Sequence, residues 1–178
     1  MRQMQEWWLV TSLDTNRRTV ESRSVRFLRS PQAIVALVAA CVIVIDQVTK
    51  TLAEANLATH SVKIVGPLSL ELVYNSGVAF SIGSGDAPIV TIVELLVILG
   101  IILYVRKIRS TGLALGFGMV IGGALGNITD RLFRHNHGSV IDFIHSGFWP
   151  TFNLADSAVV IGIIVILFAS RSKGKRVV

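Results

Sequence analysis

Residues 33–45 read Ala-Ile-Val-Ala-Leu-Val-Ala-Ala-Cys-Val-Ile-Val-Ile, and the apolar character continues past Asp46 to about Leu52. Roughly 20 mostly apolar helical residues cross about 30 Å of hydrocarbon, so this stretch reads as a membrane span. Three further runs share its character, at about Ile89 to Val105, Leu113 to Ile128 and Ala155 to Ala169. Across all 178 residues, 52% are hydrophobic and 16% charged, with a mean hydropathy of +0.64. A soluble domain is about one quarter charged and scatters its apolar residues periodically. The composition therefore excludes a cytosolic enzyme with a single core, and a disordered regulator. The expected fold class is an α-helical integral membrane protein with four transmembrane helices.

The cations orient these spans. Residues 1–30 hold Arg2, Arg17, Arg18, Arg23, Arg26 and Arg29; Arg106, Lys107 and Arg109 join spans two and three; Arg171, Lys173, Lys175 and Arg176 follow span four. The two longer links offer only Lys63, Arg131 and Arg134. This bias places both termini in the cytoplasm of a cell membrane and the longer links outside. The net charge of +6 thus reads as topology, and nucleic acid is not an expected partner. The lone Cys41 allows no intramolecular disulfide. Val38-Ala39-Ala40-Cys41 imitates a lipoprotein cleavage box, but the apolar run continues to Ile45, so span one is expected to be retained. The organisation reads as a basic cytoplasmic extension over 1–30, a membrane domain over 31–170 and a basic tail over 171–178. Between helices one and two, Val62 and Ile64, then Leu68, Leu70, Leu72 and Tyr74, alternate with other residues. With turns at Gly66-Pro67 and Asn75-Ser76-Gly77, this predicts a small extracytoplasmic β-sheet within about 56–84.

Acids inside or at the mouth of spans are costly and suggest function. Asp46, Asp130, Asp142 and Asp156 all fall at outward helix ends or in the outer link. Asp46 has Lys50 at i+4, and Asp130 has Arg131 beside it and Arg134 at i+4. A nearby cation keeps a carboxylate ionised. Asp142 and Asp156 have no Lys or Arg within four residues. Brought together at low dielectric, two such acids share one proton. That is aspartic-protease chemistry: one carboxylate draws a proton from water while the protonated partner polarises a peptide carbonyl. Gly118, Gly122 and Gly126 form a ridge leading to Asp130 that lets another helix approach closely. Gly123, Asn127 and Arg131 form the adjacent ridge. Asn153 precedes Asp156 by three and shares its face.

At this point five blocks resemble one family. They are Asp46-Gln47-Val48-Thr49-Lys50, Asn75-Ser76-Gly77-Val78-Ala79-Phe80, Gly122 through Arg131, Val140-Ile141-Asp142-Phe143 and Phe152-Asn153-Leu154-Ala155-Asp156. In this order they resemble bacterial lipoprotein signal peptidase, or signal peptidase II, over about Ala33 to Ala169. The resemblance implies cleavage of diacylglyceryl-modified prolipoproteins just before the lipidated cysteine, without a metal. No cofactor is expected, and the expected partners of a monomer are prolipoprotein substrates and membrane lipid. The resemblance also implies a catalytic pair at Asp142 and Asp156. It implies supporting or substrate-binding roles for Asp46, Lys50, Asn75, Gly77, Asn127, Asp130, Arg131 and Asn153. The chain departs from the family pattern in its basic N-terminal extension and in a short Asp142–Asp156 link. Phe80, Phe143 and Trp149 read as interfacial aromatics, with a cover over the pocket as the alternative.

Other readings use other residues. Gly83-Ser84-Gly85-Asp86 fits a Gly-x-Gly-Asp protease pattern but lies in a polar turn. His135, His137, Asp142 and His145 would suit zinc. A serine protease would need a helix-borne nucleophile beside a buried His, whereas all four His residues lie in outer links. The main alternative is a proton or ion carrier using Glu94 and Asp46, with Glu94 pairing to Lys50 or to a polar group across helices.

Overall fold

The computed structural model describes residues 30–76, 87–134 and 136–171. Readings that fall on Gly77, Phe80, the Gly83–Asp86 pattern, His135, residues 1–29 and residues 172–178 lie outside the described residues. Helix α1 (Pro31–Leu57) begins where its sequence allows. The Ser30 hydroxyl accepts the Ala33 N–H at 3.2 Å, and Pro31 occupies the first position, where no N–H is needed. Strands β1 (Val62–Val65) and β2 (Leu68–Asn75) follow, then α2 (Ala87–Val105), α3 (Thr111–Phe133), β3 (Val140–His145) and α4 (Leu154–Arg171). Helices α1, α3 and α4 are long and apolar enough to cross a membrane, and α2 is apolar from Thr91 to Val105.

Helix α3 is the hub. Its apolar stretch is 61% buried, against 17% for α1 and for α4, so the other helices turn their apolar faces outward. Glycines make the close approach possible on two sides. A Cβ at Gly122 would lie 2.8 Å from the Ala39 carbonyl of α1, and one at Gly116 would lie 2.8 Å from the Gly162 carbonyl of α4. The expected ridge of Gly118, Gly122 and Gly126 serves α1, while Gly116 and Gly123 receive α4. Helices α1 and α3 run about a turn beyond the apolar runs that announced them, to Leu57 and Phe133. Those last turns carry Glu54, Asp130 and Arg131, each of which pairs with a charged partner.

The sheet needs a correction. It is antiparallel in the order β1-β2-β3, and its third strand comes from the link between α3 and α4, not from the α1–α2 link alone. Val140 to Phe143 are all buried, so β3 shows no alternation in sequence. Pairing sets Asp142 opposite Val73, and Val140 opposite Asn75. Gly66 takes φ +54° in the β1–β2 turn, a left-handed conformation that suits glycine. The sheet docks on the end of α1, where Phe143 packs with Ala53, Leu57, Leu70, Leu72, Ile144 and Leu154. Phe143 is thus a core residue and does not cover the pocket.

Candidate active site

The i,i+4 spacing on α1 delivers the expected pair, with Lys50 Nζ 2.8 Å from Asp46 Oδ2. The same ammonium lies 2.8 Å from Asp130 Oδ2 on α3 and donates to Asn127 Oδ1 at 3.0 Å. Lys50, Asp46 and Asp130 are fully buried. At such depth an unpaired ion costs several kcal/mol, so each remaining oxygen needs a donor. Asp46 Oδ1 accepts the Ala155 N–H at 3.0 Å. Asp130 Oδ2 accepts the Ile141 N–H at 3.1 Å, and its Oδ1 accepts from Gln47 Nε2 at 2.8 Å and pairs with Arg134 Nε at 3.3 Å. Gly126 permits this closeness, since a Cβ there would sit 2.7 Å from Asp46 Oδ2.

From that cluster the network turns toward the other two acids. Asn127 Oδ1 accepts from Lys50 and from Asn153 Nδ2, which leaves Asn127 Nδ2 to donate to Asp156 Oδ1 at 2.8 Å. Asn153, just before α4, holds both acids. Its Nδ2 donates to Asp142 Oδ1 at 2.7 Å, and its Oδ1 accepts the Asp156 N–H at 2.9 Å. Asp156 Oδ2 in turn accepts the Asn153 N–H at 3.3 Å. This is a capping box with Asp in the third helical position, so Asp156 is fixed by its own helix start. Across the sheet, Asn75 Nδ2 donates to Asp142 Oδ2 at 2.8 Å.

Amides, not cations, thus hold Asp142 and Asp156. Burial pushes the Asp142 carboxyl up to about 6; the Asn75 and Asn153 amides pull against this, and the Asp156 charge pushes with it. A carboxyl raised toward neutrality beside a second acid can hold a proton while its neighbour accepts one. Asp156 also lines an open apolar groove of about 500 Å³, walled by Phe148, Trp149, Phe152, Val160 and Ile161. Trp149 thus stands on the same groove as Asp156.

Of the named site residues, Asp46, Lys50, Asn75, Asn127, Asp130, Asp142, Asn153 and Asp156 join one network. Arg131 does not: it turns from Asp130 to Glu94 of α2, Nη1 to Oε2 at 2.7 Å. Glu94 accordingly pairs with Arg131 and not with Lys50. His145 contacts Glu71 and Thr151. Sequence reasoning missed Gln47, which bonds Asp130 and the Gly126 carbonyl. Arg134 meets Asp130 as its i+4 spacing predicts, but its pairing with Glu54 and its donation to Thr51 at 3.0 Å were not foreseen. The Asn153-x-x-Asp156 spacing was itself a capping signal that could have placed both side chains.

The model for Signal peptidase (SPase) II matches residues 38–171. The chain is similar to the lipoprotein signal peptidase of Mycobacterium leprae (strain Br4923), 40% identical over 167 residues that span 91% of this chain and 80% of that one. The lipoprotein signal peptidase of Rhodococcus jostii (strain RHA1) is 43% identical over 136 residues, 74% of this chain and 69% of its own. A solved bacterial membrane enzyme matches with TM-score 0.66 and 29% identity, covering 76% of this chain and 91% of that chain. A second matches with TM-score 0.68 and 28% identity, covering 81% and 91%.

Proposed function

The chain belongs to the signal peptidase II family and is a protease, and we propose that it is an aspartic endopeptidase that cuts diacylglyceryl-modified prolipoproteins just before the lipidated cysteine. The observation that carries this reading is Asn153, which bonds Asp142 and Asp156 at once while every other acid of the network has a cation. In the proposed reaction Asp142 holds the proton and polarises the scissile carbonyl. Asp156 takes a proton from water, whose oxygen attacks the carbonyl carbon. Collapse of the tetrahedral intermediate breaks the C–N bond, and the proton passes to the departing amine of the cysteine. The apolar groove beside Asp156 supports a substrate that brings lipid to the scissile bond.

In this reading all four helices span the cell membrane of a monomer. The termini face the cytoplasm, and the sheet and both acids sit at the outer leaflet, where a diacylglyceryl anchor holds its peptide.

The test incubates purified protein with a lipidated prolipoprotein and its unlipidated twin, with and without chelator. Cleavage of the lipidated form alone, indifferent to chelator, is expected. Equal cleavage of both overturns the substrate assignment, and chelator sensitivity overturns the metal-free one. Activity surviving in Asp142→Asn overturns the dyad. The carrier reading is disfavoured because both of its acids are engaged, Glu94 with Arg131 and Asp46 with Lys50.

A further inference from the structure

Glu94 is the only charged residue of α2, and an acid two turns into an apolar helix needs a reason. Its Oε2 meets Arg131 Nη1 at 2.7 Å, and the Arg131 side chain is 8% exposed. Arg131 Nε is buried and has no hydrogen-bond partner among the described residues. Buried donors are nearly always satisfied, and an orphan invites an acceptor that arrives later. The position is suggestive. Arg131 lies one turn beyond Asn127 on the ridge of α3 that meets α4, where Gly123 abuts Ala155 and Asn127 bonds Asp156. Glu94 is within electrostatic reach of both Asp156 and Lys50. An extended peptide drawn past the two acids presents backbone carbonyls, the acceptor that this donor lacks.

We propose that Glu94 is a positioning residue for the peptidase reaction, holding the Arg131 guanidinium at the rim of the acid pair so that Nε binds a backbone carbonyl of the substrate peptide. The inference rests on the assignment of Asp142 and Asp156. A pair serving only to fasten α2 to α3 would have no use for a buried donor left over.

The experiment measures kcat, KM and thermal stability of the full chain on a lipidated peptide for Glu94→Ala, Glu94→Asp, Arg131→Ala and the double variant. Loss of a hydrogen bond to a charged group lowers kcat/KM about tenfold or more. Glu94→Ala is expected to raise KM about tenfold with kcat little changed, the signature of lost substrate binding. Glu94→Asp recovers part of the loss, and the double variant is no worse than Arg131→Ala. Two losses that multiply, a Glu94→Ala enzyme with unchanged KM, or a deficit that follows only the folded fraction each overturn the proposal. If Asp156→Asn still cleaves, the dyad reading itself has failed. If Asp156→Asn is dead while Glu94→Ala matches the parent, only the present inference has failed.

Discussion

Two groups of acids lie within one network but are held in opposite ways. Around Lys50, Asp46 and Asp130 share a fully buried ammonium, and their remaining oxygens meet Ala155 N–H, Ile141 N–H, Gln47 and Arg134. Around Asn153, Asp142 meets the amides of Asn75 and Asn153, and Asp156 meets the Asn127 amide and its own helix start. A cation beside a carboxylate favours its charged form. Neutral donors orient an acid without fixing its charge, and burial then raises its proton affinity. The first group has the character of a structural node. The second is the pair proposed to react, and the two Asn side chains link them.

The comparison breaks most visibly at the acids themselves. Asp156→Asn is expected to lower cleavage roughly 10⁴-fold with only a small fall in melting temperature, since the amide oxygen keeps one of the two donors that met the carboxylate, Asn127 Nδ2 and the Asn153 N–H. An equal loss of stability would make Asp156 another structural acid. Lys50→Met is expected to do the reverse. It strands two buried carboxylates and costs about 3–5 kcal/mol of stability, readable by denaturation in detergent. A stable but inactive Lys50→Met protein would invert the comparison.

The link between the groups gives the next effect. Asn127→Ala removes the donor to Asp156 Oδ1 and an acceptor for Lys50. Cleavage is expected to fall about 10- to 100-fold, with a smaller loss of stability than in Lys50→Met. Equal losses in both variants would erase the distinction between the two groups.

The smallest effect sharpens the contrast through pH. The folded Asp142 carboxyl is raised from 3.8 to about 6, so the native state binds its proton more tightly than the unfolded chain. That stabilisation is present in full below about pH 4 and is lost as pH rises through about 6. Asn cannot ionise, so Asp142→Asn should be more stable than the parent above pH 6, by on the order of 1–3 kcal/mol. The gain should vanish toward pH 4. Melting curves from pH 4 to 8 read this directly, and a gain independent of pH would contradict the burial argument.

Much of this was readable in the chain because it is local. The run from Ala33 announces α1, the four-residue spacing pairs Asp46 with Lys50, and alternation from Val62 to Tyr74 marks two strands. Other features could not be read so directly. Strand β3 is buried on both faces, so Val140 to Phe143 look like any short apolar run. Arg131 sits beside Asp130 in sequence but points to Glu94, 37 residues away, because successive helical residues face different directions. The glycine ridges announced close packing, yet nothing in their spacing said that Gly122 meets α1 while Gly116 meets α4.

By itself, the sequence determined where apolar helices run and which acids stand at their ends, since hydropathy, spacing and capping act over a few neighbouring residues. Only the tertiary structure decided which acids receive a cation and which receive amides. That choice depends on distances between groups far apart in the chain, such as Ala155 N–H on Asp46 and Asn75 on Asp142. In a buried, low-dielectric setting a few ångströms separate a carboxylate locked into an ion pair from one left able to exchange a proton.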